Sequence, residues 1–417
     1  MRTEEGHRPT LGRVRLLATL ALAVAVLIAS GCSATSDEGA DLERQEREQR
    51  RAQERAATTP PPDRTLLPAA PAGGIWISHA ELMRLPTSGE AWDQLKAAAD
   101  GPMEERDIAD QDSNHDVKTL AVAFVAARTG DPDYRERAAD AIVGAIGTEE
   151  GGRTLALGRN LLSYVIAADV IDFRDYDPAR EAVFRDWLRK VRHEPLGSES
   201  VDDQTLIGTH ERSPSNWGGM AGASRAAIAA YLQDEDELER VAKVMKGWLG
   251  DRTAYPGTPG PLFGPDDVGR SFRFGGSEDD LSWQADPSRP RGVNPKGARK
   301  EGHSIDGALP DDMRRGGSFT WPPEYTQYPR EALSGFVALA ETLYRQGYDV
   351  YEWEDRALLR ACRFLYELEQ KFPEEDWWEP GVPAYWIVNY RYGTSFPVAG
   401  DGFGRNFGWT DWTHAPE

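Results

Sequence analysis

The apolar positions of this 417-residue chain fall into a repeated couplet. In VKTLAVAFVAARTGDPDYRERAADAIVGAI (117–146), a run rich in alanine gives way to a Gly-Asp turn, an acidic start and a second, charged run. The layout returns in ASRAAIAAYLQDEDELERVAKVMKGWL (223–249) and in LSGFVALAETLYRQGYDVYEWEDRALLRACRFLYEL (333–368). Apolar recurrence every three to four residues predicts helices, and the short turn makes each couplet an αα-hairpin. The first helix of each, small and apolar, is expected to pack inside, and the second carries charge on one face. LGRNLLSYVIAADVIDF (157–173) and DPAREAVFRDWLRKVRH (177–193) read as a further pair. PAYWIVNYRYGTSF (383–396) alone suggests a short strand or an extended tail. The expected fold class is all-α, an (α/α) toroid or barrel of helical hairpins with long loops lining a cleft.

Ahead of the couplets, Arg2, His7, Arg8, Arg13 and Arg15 precede an apolar run from Leu16 to Ser30. A basic start, a short apolar core and small residues predict an export signal over 1–31 rather than a membrane span. Ala29-Ser30-Gly31 before Cys32 resembles the bacterial lipobox. That resemblance implies lipidation of Cys32, a membrane anchor and a place in the cell envelope, facing the periplasmic or extracellular space. Residues 32–74 are charged and then proline-rich, the composition of a disordered tether. The folded body is then 75–417, read as one domain because no second linker interrupts it. Its one cysteine, Cys362, lies in the helical run RALLRACRFLYELEQ and reads as a buried small hydrophobe.

A formal net charge of −21 argues against nucleic acid as a partner and requires any anionic ligand to be drawn by a local basic cleft. Two irregular segments are candidates for lining one: GSESVDDQTLIGTHERSPSNW (197–217) and Tyr255 to Pro329, far longer than a passive connector. In the second, Arg289, Arg291, Lys296, Arg299 and Lys300 form a basic cluster just before His303; scattered charge on a solvated loop is the plainer reading of the same residues. Arg314, Arg315, Tyr325 and Tyr328 follow, leading into a helix. Histidine is poised near neutral pH, tyrosine shuttles a proton when a cation favours its phenolate, and arginine grips carboxylates in a planar fork. This set suits abstraction of a proton next to a carboxylate, and an acidic sugar polymer as substrate. No cofactor and no catalytic metal is expected, since the seven histidines show no ligand spacing; a structural calcium among the acidic loops stays open.

Polar residues also recur at helix entrances. Asn216 stands where a helix beginning near Trp217 takes its cap, and the unpaired N–H groups of a helix start suit a carboxylate. Gly218, Gly219 and Gly222 allow close approach of a sugar or a neighbouring helix, and Trp217 offers a stacking face. Asn114 and His115 mark a second entrance, and Arg159, Asn160 and Tyr164 a third. Each has an ordinary use, Asn114 as a cap and Arg159 in a pair with Asp169 or Glu149. Together they put polar groups at one end of successive inner helices.

The succession NHDVKTLAVAFVAARTGD, ALGRNLLSYVIAAD, SNWGGMAGASRAAIAAYL, GHSIDGALPDDMRRGG and YPREALSGFVALAE followed by GYDVY resembles the alginate lyase domain family. The branch that includes glucuronan-type lyases is the most similar, and the likeness runs from about Trp76 to Trp412. It implies an (α/α) toroid that cleaves uronate polymers by β-elimination with an Asn, a His, an Arg and a Tyr. Matched by position these are Asn216, His303, Arg314 or Arg315, and Tyr328. The chain departs from the family in two places. Arg212-Ser213-Pro214-Ser215-Asn216 replaces an Asn-Asn-His run, so His303 or His210 has to supply the histidine. The insert GGSFTWPPEYTQ lengthens the step from arginine to tyrosine and leaves Tyr325 as a rival to Tyr328.

β-Elimination requires the uronate carboxylate to be neutralised, the C5 proton removed and the O4 leaving group protonated. Asn216 and one arginine are expected to do the first. If proton and leaving group share a face, Tyr328 serves both remaining steps; if not, His303 is the base and Tyr328 the acid. Two other readings stand beside this one: a glycoside hydrolase using carboxylates among Glu301, Asp306, Asp311 and Asp312, and a non-catalytic glycan-binding surface lipoprotein.

Overall fold

The computed structural model describes residues 73–197, 205–255, 281–400 and 407–415, all within one compact unit, Pro61–Glu417. The expected export signal, Cys32 and the tether up to residue 72 lie outside the described residues, as does 256–280 of the long loop. Arg345 Nη2 donates to the carbonyl of Gly73 at 2.7 Å, which ties the backbone just ahead of residue 75 to the body.

The helices run in order α1 (His79–Leu82), α2 (Glu90–Asp100), α3 (His115–Thr129), α4 (Pro132–Gly144), α5 (Thr154–Val170), α6 (Phe173–Tyr176), α7 (Pro178–Val191), α8 (Leu206–Arg212), α9 (Asn216–Leu232) and α10 (Glu235–Leu249). A two-residue antiparallel pair, β1 (Arg299–Lys300) with β2 (His303–Ser304), is the only strand pairing among the described residues. Then come α11 (Pro310–Met313), α12 (Tyr328–Arg345), α13 (Trp353–Lys371), α14 (Ala384–Tyr392) and α15 (Thr410–Thr413). The fold is thus predominantly α-helical. The outer helices start where an acidic side chain caps them: Asp131, Asp177 and Asp234 accept from the backbone N–H of Asp133, Arg180 and Glu237, with Pro opening α4 and α7.

Helix α9 lies between α5 and α12; α5 packs in turn on α3, and α12 on α14. Helices α3, α5 and α9 are buried over most of their length, which explains their lack of a polar face. The couplets α3–α4, α9–α10 and α12–α13 pack as hairpins, whereas α7 rests on α4 rather than on α5. Backbone contact holds the centre together: a Cβ added to Gly335 of α12 would stand 2.7 Å from the backbone of Gly219 and Met220 in α9. The glycines after Asn216 therefore serve packing. Gly219 faces Phe336, Gly222 faces His210, and Gly218 meets the Ser213 carbonyl, so none makes room for a sugar.

Two local expectations change. Residues 384–392 are helix, because Tyr385, Ile387, Val388 and Tyr392 are buried and the helix packs on α12, overriding the strand preference of its aromatics. The segment 197–217 contains α8, capped by Thr205. Cys362 is buried. At the far side of α12, buried Glu341 accepts from Arg391 Nε and Tyr351 Oη, both at 2.8 Å, and His414 Nε2 stands 3.5 Å away, tying the C-terminal segment to the core. Burial alone would raise that carboxyl, yet the Arg391 guanidinium holds it well below the usual range. No helix among the described residues is long and apolar enough to cross a membrane.

Candidate active site

The starts of α5, α9 and α12 meet. Ser215 occupies the N-cap of α9, so Asn216 is its first residue rather than its cap. The Asn216 backbone N–H donates to Asp312 Oδ1 at 3.2 Å. A protein carboxyl therefore already occupies the helix start that was expected to receive a substrate carboxylate. Asp312 is fully buried, and burial, reinforced by neighbouring Asp311, pushes its carboxyl well above the usual range and favours the neutral acid. Asn216 is itself only 1% exposed. Its Nδ2 donates to Glu331 Oε2 at 3.3 Å, and its Oδ1 has no partner among the described residues.

Tyr328 is the first residue of α12, with Glu331 one turn on. The Arg315 guanidinium lies 3.9 Å from the centroid of the Tyr328 ring. Arg315 is exposed and Tyr328 half-buried. Arg314 turns instead to Asp311, at 2.7 Å. Tyr325 accepts from Arg330 Nη2 at 3.0 Å and sets its ring edge-on to Trp377, and burial pushes its phenol up. Of the rival pairs, Arg315 and Tyr328 are the two in contact.

Glu331 escaped the sequence reading. Its Oε2 also accepts from Arg159 Nη2 at 2.6 Å. Arg159 is 3% exposed and pairs with neither Asp169, which holds the Ile75 N–H, nor Glu149, which holds the Trp187 indole. The one available signal was position, three residues after Tyr328 on the same helix face.

His303, half-buried on β2, stacks on Trp321 with ring centroids 4.6 Å apart and planes 14° from parallel. No hydrogen bond or ring contact joins it to Asn216, Arg315 or Tyr328. Part of the basic cluster before it is engaged: Arg299 donates to the Gly302 carbonyl and Lys300 to the Ser282 carbonyl within the loop, and Lys296 pairs with Asp355 of α13 at 3.6 Å.

The other expected residues divide. Asn114 is exposed at the N-cap of α3 without a side-chain capping bond. His115 and Tyr164 are buried together, Nδ1 to Oη at 2.6 Å. Burial, with Arg106 nearby, lowers the His115 imidazole to about 4, and burial raises the Tyr164 phenol. Asn160 gives its amide to the carbonyls of Ile108 (3.1 Å) and Asp110 (2.8 Å), pinning the loop ahead of α3. His210 is fully buried, edge-on to Trp248 and 3.1 Å from Arg225 Nη1, so no surface of it faces solvent. Burial, with Arg225, holds it well below its ordinary value and neutral. Trp217 is half-buried, with the Arg153 guanidinium 5.5 Å over its ring.

Three of the four carboxylates of the hydrolase reading are engaged: Asp306 pairs with Arg360 at 2.6 Å, Asp311 with Arg314, and Asp312 lies under α9, while Glu301 is exposed. Among the described residues, no group of three or more His, Cys, Asp or Glu is arranged to hold a metal ion. No protein-family model matches this chain, and no curated protein matches it.

Proposed function

We propose that this protein is a polysaccharide lyase that cleaves a 1,4-linked uronic acid polymer, of alginate or glucuronan type, by β-elimination. Its helical hairpins close into an (α/α) toroid, and a lipid on Cys32 holds it at the cell envelope. The observation that carries the reading is the exposed Arg315 guanidinium 3.9 Å over the Tyr328 ring.

In this reading Arg315 meets the uronate carboxylate and offsets the charge that grows on it as the C5–H bond breaks. Tyr328 takes the C5 proton as the phenolate and, once it is the phenol, returns that proton to the departing O4, with the Arg315 cation beside the ring throughout. The Tyr328 hydroxyl has no protein partner among the described residues, so it is available to substrate. Asn216, covered from solvent, has the task of holding Glu331 and the start of α12. The absence of any contact between His303 and Tyr328 favours the route in which one tyrosine takes the C5 proton and returns it to O4. That route needs both on one face of the ring, as in D-mannuronate and D-glucuronate; in L-guluronate, the C5 epimer, they lie on opposite faces.

The test is incubation of the purified protein with polymannuronate, polyglucuronate and polyguluronate, following the ultraviolet absorbance of the unsaturated uronate that elimination creates. The first two are expected to give product and the third little. New reducing ends without absorbance would establish a hydrolase instead. Binding to the polymers without any cleavage would establish the glycan-binding lipoprotein.

A further inference from the structure

A second guanidinium is stacked on a second aromatic ring at a neighbouring helix start. Arg153 occupies the N-cap position of α5, exposed, and its guanidinium lies 5.5 Å over the ring of Trp217 in the first turn of α9. Gln111 Oε1 accepts from Arg153 Nη2 at 2.5 Å and steadies it. No carboxylate pairs with Arg153 among the described residues. In a chain of net charge −21, this is a cation kept free of internal acids and held in place by an aromatic face and a neutral amide.

The position of this pair relative to the first is set by direct contacts. Trp217 follows Asn216, the Asn216 side chain meets Glu331, and Glu331 lies one turn after Tyr328. Arg159, on the second turn of α5, bonds the same Glu331 carboxylate. The Arg153–Trp217 and Arg315–Tyr328 pairs are therefore linked through the contact that joins α5, α9 and α12.

We propose that Arg153, backed by Trp217, is a second carboxylate-binding subsite that holds another uronate of the same polymer chain while Arg315 and Tyr328 act on the first. A 1,4-linked uronan carries a carboxylate on every sugar, so a repeated cation matches a repeated charge, and a half-buried indole offers an apolar face to the adjoining ring. The proposal rests on the lyase reading for its substrate class. It assigns Arg153 to binding and to the preference for polymer over short fragments, not to the chemistry.

Arg153→Ala, Arg153→Lys and Trp217→Ala, made in the full chain, test it against polymannuronate and against a uronate disaccharide. Arg153 is exposed, so its substitutions leave the core intact. Arg153→Ala is expected to raise KM for the polymer by roughly three- to tenfold at low ionic strength, with a smaller change in kcat. The effect should shrink at about 0.5 M salt as the charges are screened, and Lys should restore part of it. An unchanged polymer KM overturns the proposal, and so does an increase equally large for the disaccharide or indifferent to salt.

Binding of the same variants to immobilised polyuronate separates this proposal from the lyase reading. If wild type makes no unsaturated product but binds, and Arg153→Ala binds more weakly, the subsite stands and the lyase reading falls. If wild type cleaves but Arg153→Ala behaves like it, the reverse holds. If wild type neither cleaves nor binds, both fall.

Discussion

Arg159 and Glu331 are 172 positions apart in the chain and 2.6 Å apart in space. The guanidinium is 3% exposed, and its partner carboxylate also takes the Asn216 amide, so one ion pair joins the starts of three helices. Removing only the acid takes the Glu331 carboxylate away from a buried cation. Glu331→Gln is expected to destabilise the fold by on the order of 3 kcal/mol. Urea denaturation measures it, and Arg159→Met in the same chain should recover much of the loss, because the buried charge is gone.

The Arg315–Tyr328 contact makes a sharper statement about activity. Tyr328→Phe keeps the ring under the guanidinium and removes only the hydroxyl. It should lower kcat by about 10²–10⁴-fold with little change in melting temperature. Tyr325→Phe, whose hydroxyl is held by Arg330, should change kcat by less than about tenfold. A reversal of that order would move the proton-transfer role to Tyr325.

The backbone contact between α9 and α12 leaves no space at Gly335. Gly335→Ala puts a methyl 2.7 Å from the Gly219 and Met220 backbone, so the helices must separate. The expected cost is about 1–3 kcal/mol, despite alanine's better helix propensity. Thermal or chemical denaturation against wild type decides it, and a stabilised variant would contradict the packing described.

Neighbours Asp116 and His115 bias stability in opposite directions with pH. Burial raises the Asp116 carboxyl to about 8 from 3.8, so the folded state holds an extra proton between those values and loses stability as pH rises through them. Burial lowers His115 to about 4 from 6.5, so the folded state lacks a proton there and gains stability as pH rises through that window. The two oppose each other up to pH 6.5, and above it only the Asp116 contribution remains of the pair. Asp116→Asn should therefore flatten the fall in stability between pH 6.5 and 8, by about 2 kcal/mol. Denaturation curves at several pH values for both proteins provide the check.

What could be read along the chain was local. Inner and outer helices, the turns between them and the caps Asp131, Asp177 and Asp234 follow from apolar spacing and from side chains that reach backbone two or three residues away. Arg315 and Tyr328 were among the named candidates because short range already put arginines and tyrosines at a helix entrance. The selection among them was partly local, since Asp311 takes Arg314 three residues away and Arg330 takes Tyr325 five residues away. Packing of distant segments buried Asn216 and His210, set His303 on Trp321 and placed α7 on α4. The same packing made a helix of 384–392 and brought Glu331 to Arg159. Burial and ion pairing depend on which segments come together in space, and neither periodicity nor spacing along one strand of sequence carries that information.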